Sequence, residues 1–353
     1  MLESGSPKKP PLPRAARREV ASDPAAWVRQ EPLAAGSHLP IVLTPAMPGI
    51  DPAAWARASL PLVLRLLHHH GAVLFRGFDV GDAARFERLV RAVAGEPLAY
   101  EERSSPRSAV ANHVYTSTEH PPEERIFLHN EQSYNLVFPS RISFCCVTAS
   151  PEGGATPLAD SRRVFARIPA EIRARFIAGG YQYVRNFGEG FGLPWQVAFQ
   201  TQERTEVEAY CQRHGIAFEW RDRDRLRTRQ TRRAAGCHPF TGEPVWFNHA
   251  TFFHVSTLPR ATGDALLAAL GEADLPNHTY YGDGSPIEPE VMNILRRAYD
   301  DERIEFPWER GDALLLDNML TAHGRAPFAG PRKVLAAMSS PLPWSAVPEV
   351  PAS

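Results

Sequence analysis

His129 and Glu131 flank a single residue in the run FLHNEQSY at 127–134. In an extended segment residues i and i+2 point to the same side, so an imidazole and a carboxylate at this spacing can bite one metal ion from one direction. A second imidazole on a neighbouring strand would complete two His and one carboxylate on one face of the ion, with three positions left open. That is the donor set of non-haem Fe(II) oxygenases. His323 is the candidate. It follows the apolar run 313–316 and the strand-ending pair Asp317-Asn318, and is expected just past a buried strand at a barrel mouth. Nine positions on, Arg332 opens the next strand, where a guanidinium can pair bidentately with the far carboxylate of a dicarboxylate cosubstrate. An HxE tripeptide by itself is a common accident, and most of the thirteen histidines are expected to be ordinary hydrogen-bonded residues. The weight rests on the four residues together.

Other segments are candidates for the surroundings of such a site. Asn112 and the segment 115–120, which starts at Tyr115, immediately precede the metal motif and are expected to form a pocket wall. Residues 246–249 offer a second wall, with Asn248 as its polar handle, although Trp246 and Phe247 equally suit a β core. Arg185 and Asn186 lie beside the glycine-rich GEGFG at 188–192, which lacks the strand–glycine–helix order of a dinucleotide fingerprint and is expected to be a mobile lid or a plain loop. Cys145 and Cys146 should face opposite sides of a strand as packing residues, and Cys237-His238 lacks the second pair that a metal site needs. His68, His69 and His70 end a helix, where cations suit the dipole but neighbours diverge around the axis.

The most unusual local composition is the period-2 run Arg221, Arg223, Arg225, Arg227 and Arg229. A strand there would line one face with guanidinium groups, either as a solvated edge guarded by charge or as a docking surface for an acidic substrate or partner.

The elements that must hold these residues are partly legible. Helices are expected over 52–67, with Gly71 as a stop, over 82–93 and over 288–299. Strands are expected at 72–75, 141–148, 182–185, 245–247, 312–316 and 333–338. This order favours a β core decorated by helices. The chain has 353 residues, 39 Lys+Arg against 40 Asp+Glu, and no apolar run approaching the ~18–20 residues of a membrane span. Nucleic-acid binding and membrane insertion are therefore not expected. Four cysteines without a CxxC pair suit a reducing, cytoplasmic setting. Residues 1–25 read as a disordered basic arm and not a secretory signal, 26–345 as one domain, and 346–353 as a flexible tail.

The segments at 127–134 and 153–162 (GGATPLADSR) and the tail from Gly311 to Met338, with its HGRxPFxGxR pattern, resemble the taurine/2,4-dichlorophenoxyacetate dioxygenase family. The resemblance covers roughly 71–343 and is nearest the branch typified by the syringomycin-pathway aspartyl hydroxylase. It implies a double-stranded β-helix (jelly roll, cupin-like), with Fe(II) as cofactor and 2-oxoglutarate and O2 as cosubstrates. His129, Glu131 and His323 would be the iron ligands. Thr156, 27 positions after His129, would help hold the distal carboxylate of 2-oxoglutarate, and Arg332 would salt-bridge it, with Arg325 as the rival. Halogenating relatives replace the carboxylate ligand with a small residue, so an intact Glu131 implies oxygenation. The implied substrate is a small molecule, an amino acid or a derivative of one, free or tethered to an acidic carrier protein. Hydroxylation is the expected outcome, with desaturation, cyclisation or epimerisation as alternatives at the same iron.

Overall fold

A computed structural model describes residues 24–98, 109–111, 114–117, 120–188, 192–221 and 224–351. Asn112, most of the basic arm and the centre of the glycine-rich run lie outside the described residues.

An eight-stranded sheet is the backbone of the molecule. Its order is Val28–Pro32, Ile41–Pro45, Ala72–Phe75, Ala313–Asp317, Val137–Thr148, Lys333–Pro343, Val114–Thr116 and Ala109–Ala111. Every pairing is antiparallel except that of Ile41–Pro45 with Ala72–Phe75, and a parallel pair needs a crossover. The helices Pro52–Ala58 and Leu60–His70 supply it. The single helix expected over 52–67 is thus two. Ser59 closes the first, and Pro61, which has no N–H to donate, sits in the first turn of the second. Gly71 ends the second helix at φ 76°, packed so closely on Thr321 that any side chain would collide.

The strands of this sheet are apolar on both faces, and period 2 divides them between two cores. Val73, Phe75, Cys145, Ala313, Leu315 and Leu335 pack under the crossover helices and the helix Ala83–Ala94. Leu74, Phe144, Cys146, Leu314, Leu316 and Val334 face the other way, onto Leu158 of a three-stranded sheet. That small sheet, ordered Ile126–His129, Thr321–Arg325, Leu158–Asp160, closes the β sandwich. Each fully buried Leu or Phe in such a core is worth about 1.5–3 kcal/mol.

The outer face of the small sheet is covered in turn. Leu128, Ala159 and Ala322 pack with Tyr181, Tyr183, Trp246, Met292 and Leu295. The two tyrosines come from a third sheet, ordered Ala217–Arg221, Arg225–Arg232, Tyr181–Phe187, Asn277–Tyr281, and Met292 and Leu295 from the helix Pro289–Asp301. This is the helix-decorated β core with a jelly-roll centre that the sequence favours.

One expectation fails here. Of the arginine-rich run, Arg225, Arg227 and Arg229 do not lie on a sheet edge, and Arg223 is outside the described residues. Residues 221 and 225 pair across a hairpin, and Arg225–Arg232 is an interior strand. Arg227 is buried, donating to Asp274 and Asn186 at 2.7 Å each, and Arg221 reaches the same Asp274 at 2.7 Å. Charges paired in this way are a local truss. Described residues just beyond 345 make contacts with the rest of the chain. Val347 is buried beside Trp344, Arg233 donates to the Val347 carbonyl at 2.9 Å, and the Pro348 carbonyl accepts from Cys237 N at 2.9 Å.

Candidate active site

The small sheet brings the metal-binding candidates together. His323 lies past the buried strand Ala313–Asp317, as expected, but inside a further strand, Thr321–Arg325, directly opposite His129 in the antiparallel register. The reason is local. The Asp317 carboxylate accepts from Met319 N at 3.0 Å and Leu320 N at 3.2 Å, which turns the chain tightly enough to start a new strand at Thr321. A register shift follows His323, and at Gly324 a Cβ would stand 2.6 Å from the Ile126 carbonyl. Bulges next to active sites re-aim side chains in this way.

His129 ends its strand, with Nδ1 donating to the Phe127 carbonyl at 2.9 Å, which leaves Nε2 directed away from the backbone. Its ring centroid is 4.6 Å from that of His323. Glu131 lies beyond the strand, in a turn where Gln132 takes φ 52°. Its backbone is clamped by the Asn318 amide. Oδ1 accepts from Glu131 N at 2.8 Å, while Nδ2 donates to the carbonyls of Glu131 at 2.8 Å and Pro139 at 2.7 Å. One ligand atom from each of His129, Glu131 and His323 lies within 4.8 Å of the others, and no other such cluster occurs among the described residues. Two imidazoles and a carboxylate converging from one side fit a divalent ion of the iron group with open positions.

All three line a cavity of about 860 Å³. At the end nearest the large sheet, Thr156 is buried and its Oγ1 accepts from Trp308 Nε1 at 3.0 Å. Beside it Arg332 donates through Nε to the Gly154 carbonyl at 2.9 Å. Gly154, at φ 74°, is required there, because a Cβ would stand 3.0 Å from the Arg332 side chain. Burial, then the nearby Arg325, push the Arg332 guanidinium down to about 10, above neutrality and therefore charged. Arg325 also lines the cavity, but its terminal nitrogens are spent on the carbonyls of His120, Pro121 and Glu124.

The family profile for taurine catabolism dioxygenase TauD, TfdA family, matches residues 32–338. The chain belongs to this family. Fe(II) and 2-oxoglutarate dependence comes with membership, so the chain is a 2-oxoglutarate-dependent dioxygenase. The dapdiamide synthesis protein DdaC of Enterobacter agglomerans is 43% identical over 277 residues, 78% of this chain and 84% of that protein. A clavaminate synthase-like protein of Arabidopsis thaliana is 32% identical over 287 residues, 77% and 82% of the two chains. The fold is shared with PvcB, an Fe, alpha-ketoglutarate dependent oxygenase from an isonitrile synthetic pathway, at TM-score 0.51 and 17% identity over 88% of this chain and 90% of that one. A taurine dioxygenase from Burkholderia xenovorans gives TM-score 0.52 and 16% identity, over 93% and 96%. These matches establish the family but not a particular branch within it.

The opposite end of this dioxygenase's cavity is built from the third sheet and the loops around it. Arg185 lines it, buried, with its guanidinium 4.5 Å from the Phe187 ring centroid. Tyr115 does not line it. That residue is packed in the sandwich core, paired with Ala336, and the pocket wall from this segment is Ser117 and His120. Asn248 is likewise turned inward, donating to the Ala234 carbonyl at 2.7 Å and accepting from Ala250 N at 2.9 Å. Its neighbour His249 enters the cavity instead, 5.7 Å from the His129 ring and bonded to Ser133 Oγ at 2.6 Å. Burial, then His129, hold this imidazole well below its usual pKa, so it is neutral. Phe252 and Phe253 complete the wall, and Trp246 and Phe247 are core.

The sequence places His249 in the expected wall at 246–249 but takes Asn248 as its polar handle, and it gives no role at the site to Trp308 and Asn318. The last was visible as the Asn of Asp317-Asn318, but read only as a strand end. A side-chain amide carries both donors and an acceptor, which is what clamping a peptide unit from the side demands. The other histidine and cysteine candidates are structural. His238 meets Asp317 at 3.2 Å, His70 bonds the His38 carbonyl at 2.7 Å, and all four cysteines are buried thiols outside any disulfide.

Proposed function

We propose that this dioxygenase hydroxylates an unactivated C–H bond of an amino acid or amino-acid-derived intermediate, free or carried by an acidic carrier protein, in specialised metabolism. The syringomycin-pathway aspartyl hydroxylase is its expected functional type. The observation that carries the reading is the convergence of His129, Glu131 and His323 with Thr156 and Arg332 in one cavity. The likeness to a dapdiamide synthesis protein supports the metabolic setting. Four buried thiols outside any disulfide suit a reducing cytoplasm.

His129, Glu131 and His323 would hold Fe(II), which with 2-oxoglutarate supplies the oxidising chemistry. The chain's own part is positional. Because Trp308 donates to Thr156 Oγ1, the threonine keeps its own proton to give to the distal carboxylate of 2-oxoglutarate. Arg332 supplies the opposing charge, fixed by its bond to Gly154. Arg325 ties down the 120–124 segment that walls the same region. Phe144 and Val334 present apolar surface to the cavity and keep water from these contacts. Glu131 occupies the position that a halide would need, which supports oxygenation over halogenation. If a carrier delivers the substrate, Arg229, 44% exposed, is a member of the arginine run still available to it.

The test is anaerobic titration of apo-protein with Fe(II) and 2-oxoglutarate, following the weak visible charge-transfer band of the chelate. The band should form, vanish in His129→Ala, and need far more 2-oxoglutarate in Arg332→Gln. Its absence in metal-loaded protein would overturn the assignment of these residues.

A further inference from the structure

Five arginines line the cavity against three carboxylates, Glu124, Glu131 and Asp300, among the described residues. Two of the carboxylates have partners of their own: Glu124 pairs with His120 at 2.8 Å and Asp300 with Arg125 at 2.7 Å. A divalent cation and a dianionic cosubstrate cancel each other, so a loaded cavity keeps an excess of positive charge. In a partly enclosed space that excess selects for an anion.

Arg296 carries part of that excess, with Asp300 as the carboxylate that acts on it through space. It projects from the helix Pro289–Asp301 into the cavity wall and is half-buried. Nη1 donates to Ser256 Oγ at 2.7 Å and reaches Thr257 Oγ1 at 3.5 Å, and Nη2 donates to Asn293 Oδ1 at 2.6 Å. All three acceptors are neutral, so they orient the guanidinium without cancelling its charge. Asp300, one turn along the same helix, is engaged by Arg125, and among the described residues no carboxylate forms an ion pair with Arg296 within 4.0 Å. Thr257 also lines the cavity, and Leu258, Pro259 and Leu266 give the adjoining wall apolar surface. The result is a preorganised cation beside a greasy approach, with the metal-binding residues elsewhere in the same cavity.

We propose that Arg296 is the anchor for an anionic group on the substrate, a carboxylate or a phosphate remote from the carbon that is oxidised. The inference rests on the reading that substrate shares this cavity with 2-oxoglutarate bound at Arg332. Two sources supply such an anion, the carboxylate of a free amino-acid derivative or the phosphate of a pantetheine arm on a carrier.

Calorimetric titration of the anaerobic Fe(II)·2-oxoglutarate protein with paired probes separates them. One pair is phosphopantetheine against pantetheine, the other N-acetyl-L-leucine against its amide. The charged member of one pair should bind at least about tenfold more tightly than its neutral partner, a preference that fades at high salt. Arg296→Gln should erase the preference, Arg296→Lys should keep part of it, and neither should alter 2-oxoglutarate binding measured in the same samples. The pair that discriminates identifies the source. Equal binding within both pairs, or a preference untouched by Arg296→Gln, overturns the proposal. Loss of 2-oxoglutarate binding sensitivity to Arg332→Gln would overturn the parent reading instead.

Discussion

The two ends of the cavity are built by different means. At the metal end, backbone does the positioning: His129 and His323 are cross-strand partners, and Glu131 is gripped through its peptide groups by Asn318. At the other end, side chains from the third sheet, from loops and from one helix meet without a shared ladder. Arg185, the pair His249 and Phe252, and Arg296 come from three separate stretches of chain. The contrast teaches how one scaffold keeps a reaction and changes a substrate. Moving a ligand at the metal end disturbs strand pairing, whereas replacing a wall residue at the other end disturbs only its neighbours.

The sharpest way to break this comparison is at the ligands. His323→Ala or Glu131→Ala should abolish the charge-transfer band and bring 2-oxoglutarate turnover to background, with the fold retained by circular dichroism. A Glu131→Ala protein of full activity would remove the metal end from the contrast altogether. Next in size is the clamp. Asn318→Ala leaves two buried carbonyls and one N–H unsatisfied, and should weaken Fe(II) or Co(II) affinity about 10–100-fold. Asn318→Asp, which keeps only the acceptor, should fall between the two, a graded series that general destabilisation would not give.

A smaller effect is expected at Trp308→Phe. Loss of its bond to Thr156 should raise the KM for 2-oxoglutarate by about three- to tenfold, on the scale of one buried hydrogen bond, and leave metal affinity unchanged. The smallest concerns acid stability. Burial works to raise the Asp317 pKa, but the hydrogen bond and charge of His238, the Leu320 N–H and Arg141 hold it below its ordinary value. Its contribution is therefore present above the usual carboxylate range near ~4 and is lost as pH falls through the depressed value. Asp317→Asn should flatten the acid limb of a Tm-against-pH curve and cost about 1–3 kcal/mol at neutral pH. An unchanged acid limb would show that this turn is not what the metal end depends on.

The same contrast explains what the sequence disclosed. The candidate ligands His129, Glu131 and His323 are legible in spacing and residue type as one cluster, although Glu131 stands in a turn and not on the expected extended segment, and the strands at 72–75 and 312–316 are legible as unbroken apolar runs. Tyr115 and Asn248 were misplaced by the physics of neighbours. A tyrosine in a three-residue strand goes wherever period 2 sends it, here into the core, and the one-residue step from Asn248 to His249 exchanges a backbone cap for a cavity wall. Arginines at period 2 looked like a charged edge because the residue that neutralises two of them, Asp274, lies about fifty positions away in the chain. Long-range partners of this kind leave no local trace.

The pairing of His323 with His129 also acts as a gauge of assembly. A slip of one residue between their strands would send the two imidazoles to opposite faces, and the chain would have no place for the ion. Occupancy of the proposed metal site would therefore report registry. In a folding population, iron would collect on the correctly paired chains and draw the others toward that pairing by mass action.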